Sequence, residues 1–356
     1  MDKIFINRKD ELNRLIFGLK RGHSFILVAP RRFGKTSLAT KILEKIQEDK
    51  SYHILDIDIM CYSGGTVKSV AEGIIDKCLS LLGIFGKFRQ LCRQASFSLT
   101  LKMRYNDLEF EPILHLFSKA DPEDEWKLLE ESLSLLEKIA VKEQKHLVVF
   151  FDEFGELSSL GERAIKVFRS IIQRHKHVSY LFAGSQETVM SEIFLDKSGA
   201  FYRFGELIQL TELTHEDVFN YICEHFPKIP IEVIDVLMRV LRGHPYYISL
   251  VIEHLAYRAN FGESIANFEL YIQNVLMAQE KSYIELQLLK IKEKSNALEI
   301  MRLISLGLNP YEEIVNIKEQ QIYNVLKSLE LGGYIRKLHR GIYSITDPLL
   351  EISLRD

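Results

Sequence analysis

No stretch of this 356-residue chain approaches the roughly eighteen consecutive apolar residues that a bilayer-spanning helix needs. The first residues, MDKIFINRKDEL, carry charges where a secretory leader would be apolar. An excess of charge is missing too: 46 basic against 49 acidic side chains leave a formal net charge of −3, which argues against a generally cationic surface for nucleic acid or lipid. Cysteine is scarce. The four, at positions 61, 78, 92 and 223, form no Cys-x-x-Cys pair and have no zinc-like histidine spacing, so they read as reduced, mostly buried residues of a cytoplasmic protein. There is no tandem repeat and no low-complexity tract. With 47% hydrophobic and 27% charged residues, what remains is a globular chain long enough for two or three domains.

What is present begins at Ser24. The run Phe25 to Val28 suits a buried parallel strand; it breaks at Pro30 and reaches Gly34-Lys35-Thr36-Ser37 where a helical apolar period (Leu38, Ile42, Leu43, Ile46) starts. Strand, loop and helix in that order are the setting of a phosphate-binding loop. Backbone N–H groups and the positive helix end would cradle a β-phosphate, Lys35 would reach the β- and γ-phosphates, and the Thr36 hydroxyl would hold Mg²⁺. One position departs from the GxxxxGK[ST] pattern, because Ala29 stands where the first glycine is expected.

The segment 147–153, LVVFFDE, is a second apolar strand ending in two carboxylates, which are costly there without a cation or strong donors. Asp152 would support the metal of a bound nucleotide and Glu153 would deprotonate the attacking water. Asp56 and Asp58 end another strand and read as polar strand-end residues rather than ligands. Alternation from Phe97 to Tyr105, a turn at Asn106-Asp107 and a return through Leu108 to Glu111 predict a β-hairpin insertion near 96–111. The strand from Val178 to Ala183 ends at Gly184-Ser185-Gln186. Ser185, with Gln186 the alternative, suits a contact to the γ-phosphate or the lytic water, though a helix N-cap explains the same serine. Arg203 precedes a short final strand and reads equally as a finger on a γ-phosphate, in cis or from a neighbouring subunit, and as a surface ion-pair residue.

Thr214-His215-Glu216-Asp217 opens a wholly helical region as a capping box. Within it the turn at Gly243-His244-Pro245 could lay Pro245 or Tyr246 against an adenine and bring Arg242 near the phosphates, though a plain helix connector explains the same residues. The last seventy residues read as three helices and two short strands, a winged helix. They hold ten basic and nine acidic side chains, so only Arg336, Lys337 and Arg340 at the wing tip suit DNA phosphates, and a packing or partner role competes.

These residues together resemble the archaeal-type ATPases, a family of signal-transduction P-loop ATPases related to the AAA+ proteins. The likeness rests on the box Phe5-Ile6-Asn7-Arg8-Lys9-Asp10-Glu11-Leu12, the loop Pro30-Arg31-Arg32-Phe33-Gly34-Lys35-Thr36-Ser37, and the Asp152-Glu153 pair. Gly184-Ser185, Arg203 and Gly243-x-Pro245 follow in family order. The resemblance implies an α/β P-loop core with a parallel five-stranded sheet (1–211), a helical lid (212–285) and a winged helix (286–356). It implies Phe5 and Arg8 at the adenine, ATP or ADP with Mg²⁺ as ligands, and an ATP-driven switch as the activity. A DNA-associated ATPase and a nucleotide-sensing scaffold are the alternatives; a protein partner or a homo-oligomer is compatible with each.

Overall fold

The computed structural model describes residues 6, 8–62, 64–82, 104–105, 108–109, 122–185, 187–197, 199–260, 267–339 and 341–355. Helix α1 (Lys9–Leu19) leads into β1 (Phe25–Val28), then α2 (Lys35–Gln47), β2 (Tyr52–Asp58) and α3 (Val67–Leu81). Two short antiparallel strands, β3 (Arg104–Tyr105) and β4 (Leu108–Glu109), are the described part of the expected hairpin; its turn at 106–107 and its flanks lie outside the described residues. Helix α4 (Pro122–Glu143), β5 (His146–Asp152), α5 (Glu162–Ile172), β6 (Val178–Gly184), α6 (Glu187–Phe194) and β7 (Glu206–Gln209) complete the core.

Five strands form one parallel sheet, as expected for a P-loop core, and their order is β2-β5-β6-β1-β7. Strand alternation divides the packing between two layers. Leu147, Val149 and Phe151 join the apolar cluster against α3 to α6, while Val148 and Phe150 face α1 and α2. Because β6 lies between β1 and β5, with Val28 level with Gly184 and Phe151 level with Phe182, the tips of all three strands end together. Open parallel sheets bind ligands at this carboxyl edge. An aromatic cluster stiffens the end of β5. Phe154 packs on Phe151, Phe168, Phe182, Phe194 and Phe201, its closest ring centroid at 4.6 Å.

The helices in the region expected to form the lid are α7 (His215–His225), α8 (Val233–Leu241), α9 (Pro245–Asn260) and α10 (Phe268–Lys292). Thr214 caps α7 with the reciprocal Thr214–Asp217 bonds that its sequence predicts. Helices α11 (Ala297–Ser305), α12 (Pro310–Glu313) and α13 (Glu319–Leu331), strands β8 (Ile335–His339) and β9 (Ile342–Ile345), and helix α14 (Pro348–Arg355) follow in the region where the winged helix is expected. The boundary expected at 285–286 falls inside α10, a single helix of 25 residues. Lid and winged helix also share one apolar cluster, in which Leu237, Tyr247 and Leu276 belong with Ile300, Leu326 and Leu350.

Two expectations are corrected here. Cys61 and Cys223 are exposed and only Cys78 of the described cysteines is buried, because Cys61 sits in the solvent-facing turn after β2 and Cys223 on the outer face of α7. Arg336 is not a free wing-tip cation: its guanidinium donates to the Glu212 carboxylate at 3.0 Å, where the core meets the lid. Lys337 is exposed, Arg340 lies outside the described residues, and α13 presents Tyr323 and Leu331 to solvent rather than a basic face. Among the described residues no helix is long and apolar enough to cross a membrane.

Candidate nucleotide-binding site

The loop between β1 and α2 carries the phosphate-binding residues. Ala29, in place of the usual glycine, is fully buried and has no positive φ, so its methyl group packs into the core without backbone strain. The left-handed position is Gly34 instead, with φ 85° and nothing within 4 Å of where a Cβ would stand. Gly34→Ala therefore meets no clash and costs about 1 kcal/mol through backbone strain, which a urea midpoint measures. A change of less than a few tenths would contradict this account.

Lys35 is buried at the start of α2 and donates to the Ala29 and Pro30 carbonyls at 2.7 and 3.1 Å. The Thr36 hydroxyl donates to Asp152 Oδ2 at 2.9 Å, and the Glu153 amide donates to Asp152 Oδ1 at 2.9 Å. Burial pushes the Asp152 carboxyl above its usual range, the two donors oppose that, and the neighbouring carboxylates of Glu153 and Asp58 add to it. A hydroxyl and a half-buried carboxylate in contact, with two more carboxylates nearby, fit the partial ligand set of Mg²⁺, which keeps most of its sphere for water and phosphate oxygens. Asp58 itself serves the backbone, accepting from the Met60 amide at 2.9 Å. Among the described residues no group of three or more His, Cys, Asp or Glu is placed to hold a metal by itself.

Glu153 occupies the left-handed region, φ 46° and ψ 43°, between Asp152 and the anchored Phe154. Its Oε2 accepts both the Ser185 amide, at 3.0 Å, and the Ser185 hydroxyl, at 2.9 Å. Ser185 thus meets Glu153 across the neighbouring tips of β5 and β6. Gln186, the alternative, lies outside the described residues.

Beside the loop is a cavity of about 630 Å³, within the range of small-ligand sites. Residues 31–37 and Glu153 line one end; Ile6, Arg8, Pro245, Tyr246 and Leu250 line the other. Arg8 is buried, pairs with Glu11 and donates to the Thr211 carbonyl. Phe5 lies outside the described residues. Pro30 is not on this wall; it lines a second cavity beyond the loop with Arg31, Arg32, Phe33 and Ser185.

Two predicted site residues are elsewhere. Arg203, with φ 56°, lines a hollow with Gly22, Ser24 and His175 at the amino-terminal edge of the sheet, so it cannot reach the loop at the opposite edge of its own chain. Arg242 turns away from the phosphates: its guanidinium pairs with Glu351 at 2.7 Å and donates to the Ile345 carbonyl at 3.1 Å, joining α8 to the winged helix.

Sequence reasoning missed the partner of Arg32. This loop arginine, itself at φ 67°, pairs with Glu280 of α10 at 2.6 Å and lies between the Tyr246 and Tyr283 rings, 4.6 and 3.7 Å from their centroids. The Tyr246 hydroxyl donates to the other Glu280 oxygen at 2.6 Å. A signal existed: Ile272, Leu276, Glu280 and Ile284 fall at four-residue intervals, placing a carboxylate in an inward apolar stripe. His244 packs edge-on to Phe33, 4.9 Å between centroids. Burial, then the nearby Arg32 charge, lowers its pKa to about 3.

A histidine pKa lowered by folding means that the unfolded chain takes up the proton first, so stability falls as pH drops below about 6.5. His244 contributes a loss of about 2 kcal/mol between pH 7 and pH 5 by this linkage. Urea midpoints at the two pH values, compared with His244→Gln, check it; parallel profiles for the two proteins would refute it.

A family model of an ATPase domain predominantly from Archaea matches residues 5–251. Among solved structures, the Walker-type ATPase of Pyrococcus abyssi superposes with a TM-score of 0.67 at 19% identity, covering 99% of this chain and 96% of that one. The ORC2 protein of Aeropyrum pernix in its ADPNP–ADP complexes gives 0.55 at 15% identity, covering 97% and 89%. At such identities the likeness is one of fold. No curated protein matches the chain in sequence.

Proposed function

This chain belongs to the family of ATPases found predominantly in Archaea, and we propose that it works as an ATP-driven switch whose phosphate loop controls the position of the lid and winged helix. The observation that carries the proposal is the tie between Arg32, within the phosphate loop, and Glu280 on the lid. A rearrangement of the loop around a nucleotide is then felt directly by α10 and by the winged helix that shares its core.

ATP occupies the cavity beside the loop, with the base between Arg8 and Pro245 and the phosphates over residues 34–37. Lys35 exchanges its two backbone carbonyls for phosphate oxygens. Thr36 and Asp152 would hold Mg²⁺, which when bound neutralises part of the phosphate charge. Glu153 takes a proton from water; the water oxygen bonds to the γ-phosphorus as the bond to the ADP oxygen breaks, leaving ADP and inorganic phosphate. Ser185 holds the Glu153 carboxylate through its amide and hydroxyl, and a γ-phosphate would compete with that carboxylate for the serine hydroxyl.

The test combines phosphate release from ATP with a distance reporter between core and lid. The expected results are turnover that Lys35→Ala abolishes and a core-to-lid change on ATP binding that Arg32→Ala suppresses. Turnover without any lid response would reject the switch while leaving the ATPase intact.

A further inference from the structure

The turns that enter the strands lie at the amino-terminal edge of the sheet, across the core from the nucleotide cavity. Strands β6, β1 and β7 are neighbours, about 5 Å apart. They are entered through the segments 173–177 (QRHKH), 20–24 (KRGHS) and 202–205 (YRFG). We propose that these three turns form a binding surface for single-stranded nucleic acid, separate from the nucleotide cavity and from the wing tip.

The edge stays positive once its carboxylates are set against its cations. Arg14 pairs with Glu206 and Lys20 with Asp49. Glu137, from α4, accepts from the Lys176 and His177 amides and meets the His177 ring. Helices α1 and α5 also end here, each with about half a negative charge. Against those roughly two units stand Arg21, Arg169, Arg174, Lys176 and Arg203, none of which forms an ion pair among the described residues. In a chain whose formal net charge is −3, a surplus of this sign is a local concentration, the footprint of a polyanionic partner.

Rings and a hollow distinguish a nucleic-acid strand from an acidic peptide. Phe17, near the end of α1, is 59% exposed, and the Arg21 guanidinium lies over its face, 4.0 Å from the centroid. The Arg203 guanidinium lies 5.3 Å from the Tyr202 centroid. A guanidinium on a ring offers a stacking plane and a phosphate donor together. The same three turns line a hollow of about 550 Å³, roomy enough for a base turned out of its stack. Arg169 and Arg203 reach this hollow, and Gln173 and His175 bring hydrogen-bonding edges to it. The Tyr180 hydroxyl occupies His175 Nδ1 at 2.6 Å, which leaves Nε2 as the available ring atom. An acidic peptide would use the charge and leave the rings and the hollow idle.

Fluorescence anisotropy of labelled oligothymidylate and, separately, oligouridylate, each about fifteen nucleotides long, tests the surface; a duplex of equal length and polyglutamate of equal charge are the competitors. At least one single strand is expected to bind, and the tighter of the two tells DNA from RNA. Its affinity should fall steeply between about 50 and 200 mM salt. Duplex and polyglutamate should each compete roughly tenfold less well. The double substitution Arg174→Glu and Lys176→Glu, at two exposed positions outside the nucleotide cavity, should weaken binding by at least about tenfold with ADP affinity unchanged. Phe17→Ala should weaken it by about tenfold through the lost stacking plane. Thermal unfolding confirms that each variant is folded. No binding of either strand at the lower salt, or affinity that either variant leaves unaltered, would overturn the proposal. Equal competition by duplex would overturn it as well, and equal competition by polyglutamate would replace it with a surface for an acidic protein.

Discussion

Glu153→Gln should lower ATP turnover by on the order of 10²–10⁴-fold, the usual contribution of a positioned general base, while ATP binding persists. The amide keeps the size and the accepting oxygen of the carboxylate, so Ser185 still has an acceptor for its amide and hydroxyl protons. Lys35 and Thr36, the residues proposed to meet phosphate and metal, bond to the Ala29 and Pro30 carbonyls and to Asp152. Thermal unfolding should therefore match that of the unaltered chain, which separates lost chemistry from lost structure. Phosphate release and nucleotide retention are measured on the same preparation. Turnover within about twofold of the original would remove Glu153 from the mechanism, since that corresponds to less than about 0.5 kcal/mol in the barrier.

Arg32→Ala should destabilise the chain by about 2–4 kcal/mol, somewhat below the range for breaking a fully buried pair, because the Arg32 side chain retains 27% exposure. The loss has two parts. Glu280, with 7% of its side chain exposed, is left with the Tyr246 hydroxyl as its described partner, and the space between Tyr246 and Tyr283 empties. Glu280→Ala strands the guanidinium between two rings and should cost a similar amount. The double substitution removes both charges and should cost clearly less than the sum of the single ones, as expected of directly coupled groups. Additive losses in urea unfolding would mean that the two side chains do not act as a pair and would take away the physical link between loop and lid.

The contrast between these two residues marks what the sequence discloses. Glu153 ends an apolar run one residue after Asp152, and an unpaired carboxylate at the tip of a buried strand announces its need for a cation. Lys35 and Thr36 follow a strand and open a helix. Each of these readings depends on neighbours a few residues away, and the parallel sheet brings those strand tips together at its carboxyl edge. The capping box at Thr214 and the two short strands at 335–345 were legible for the same reason, whereas helix α14 at Pro348–Arg355 was not read. Arg32 and Glu280 are 248 positions apart, and no local period connects them. Arg242 looked phosphate-directed because it stands at the sharp Gly243-x-Pro245 turn; its pairing with Glu351 depends on how α8 packs against α14, which tertiary contacts decide. The common core of lid and winged helix was hidden likewise, since an amphipathic period tells which face of a helix is inward and not which partner covers it.

The placement of Arg203 also has a kinetic consequence. Strand β1, at roughly 3.3 Å per residue over its four residues, separates the arginine's edge of the sheet from the phosphate loop. Lys35, Thr36, Asp152 and Glu153 travel with one chain, and their work is indifferent to dilution. Any contribution from Arg203 to phosphate transfer has to come from another molecule, so it obeys mass action. Rate per chain plotted against protein concentration would be flat for the first four residues alone and would rise, then saturate, for an arginine supplied by a neighbour.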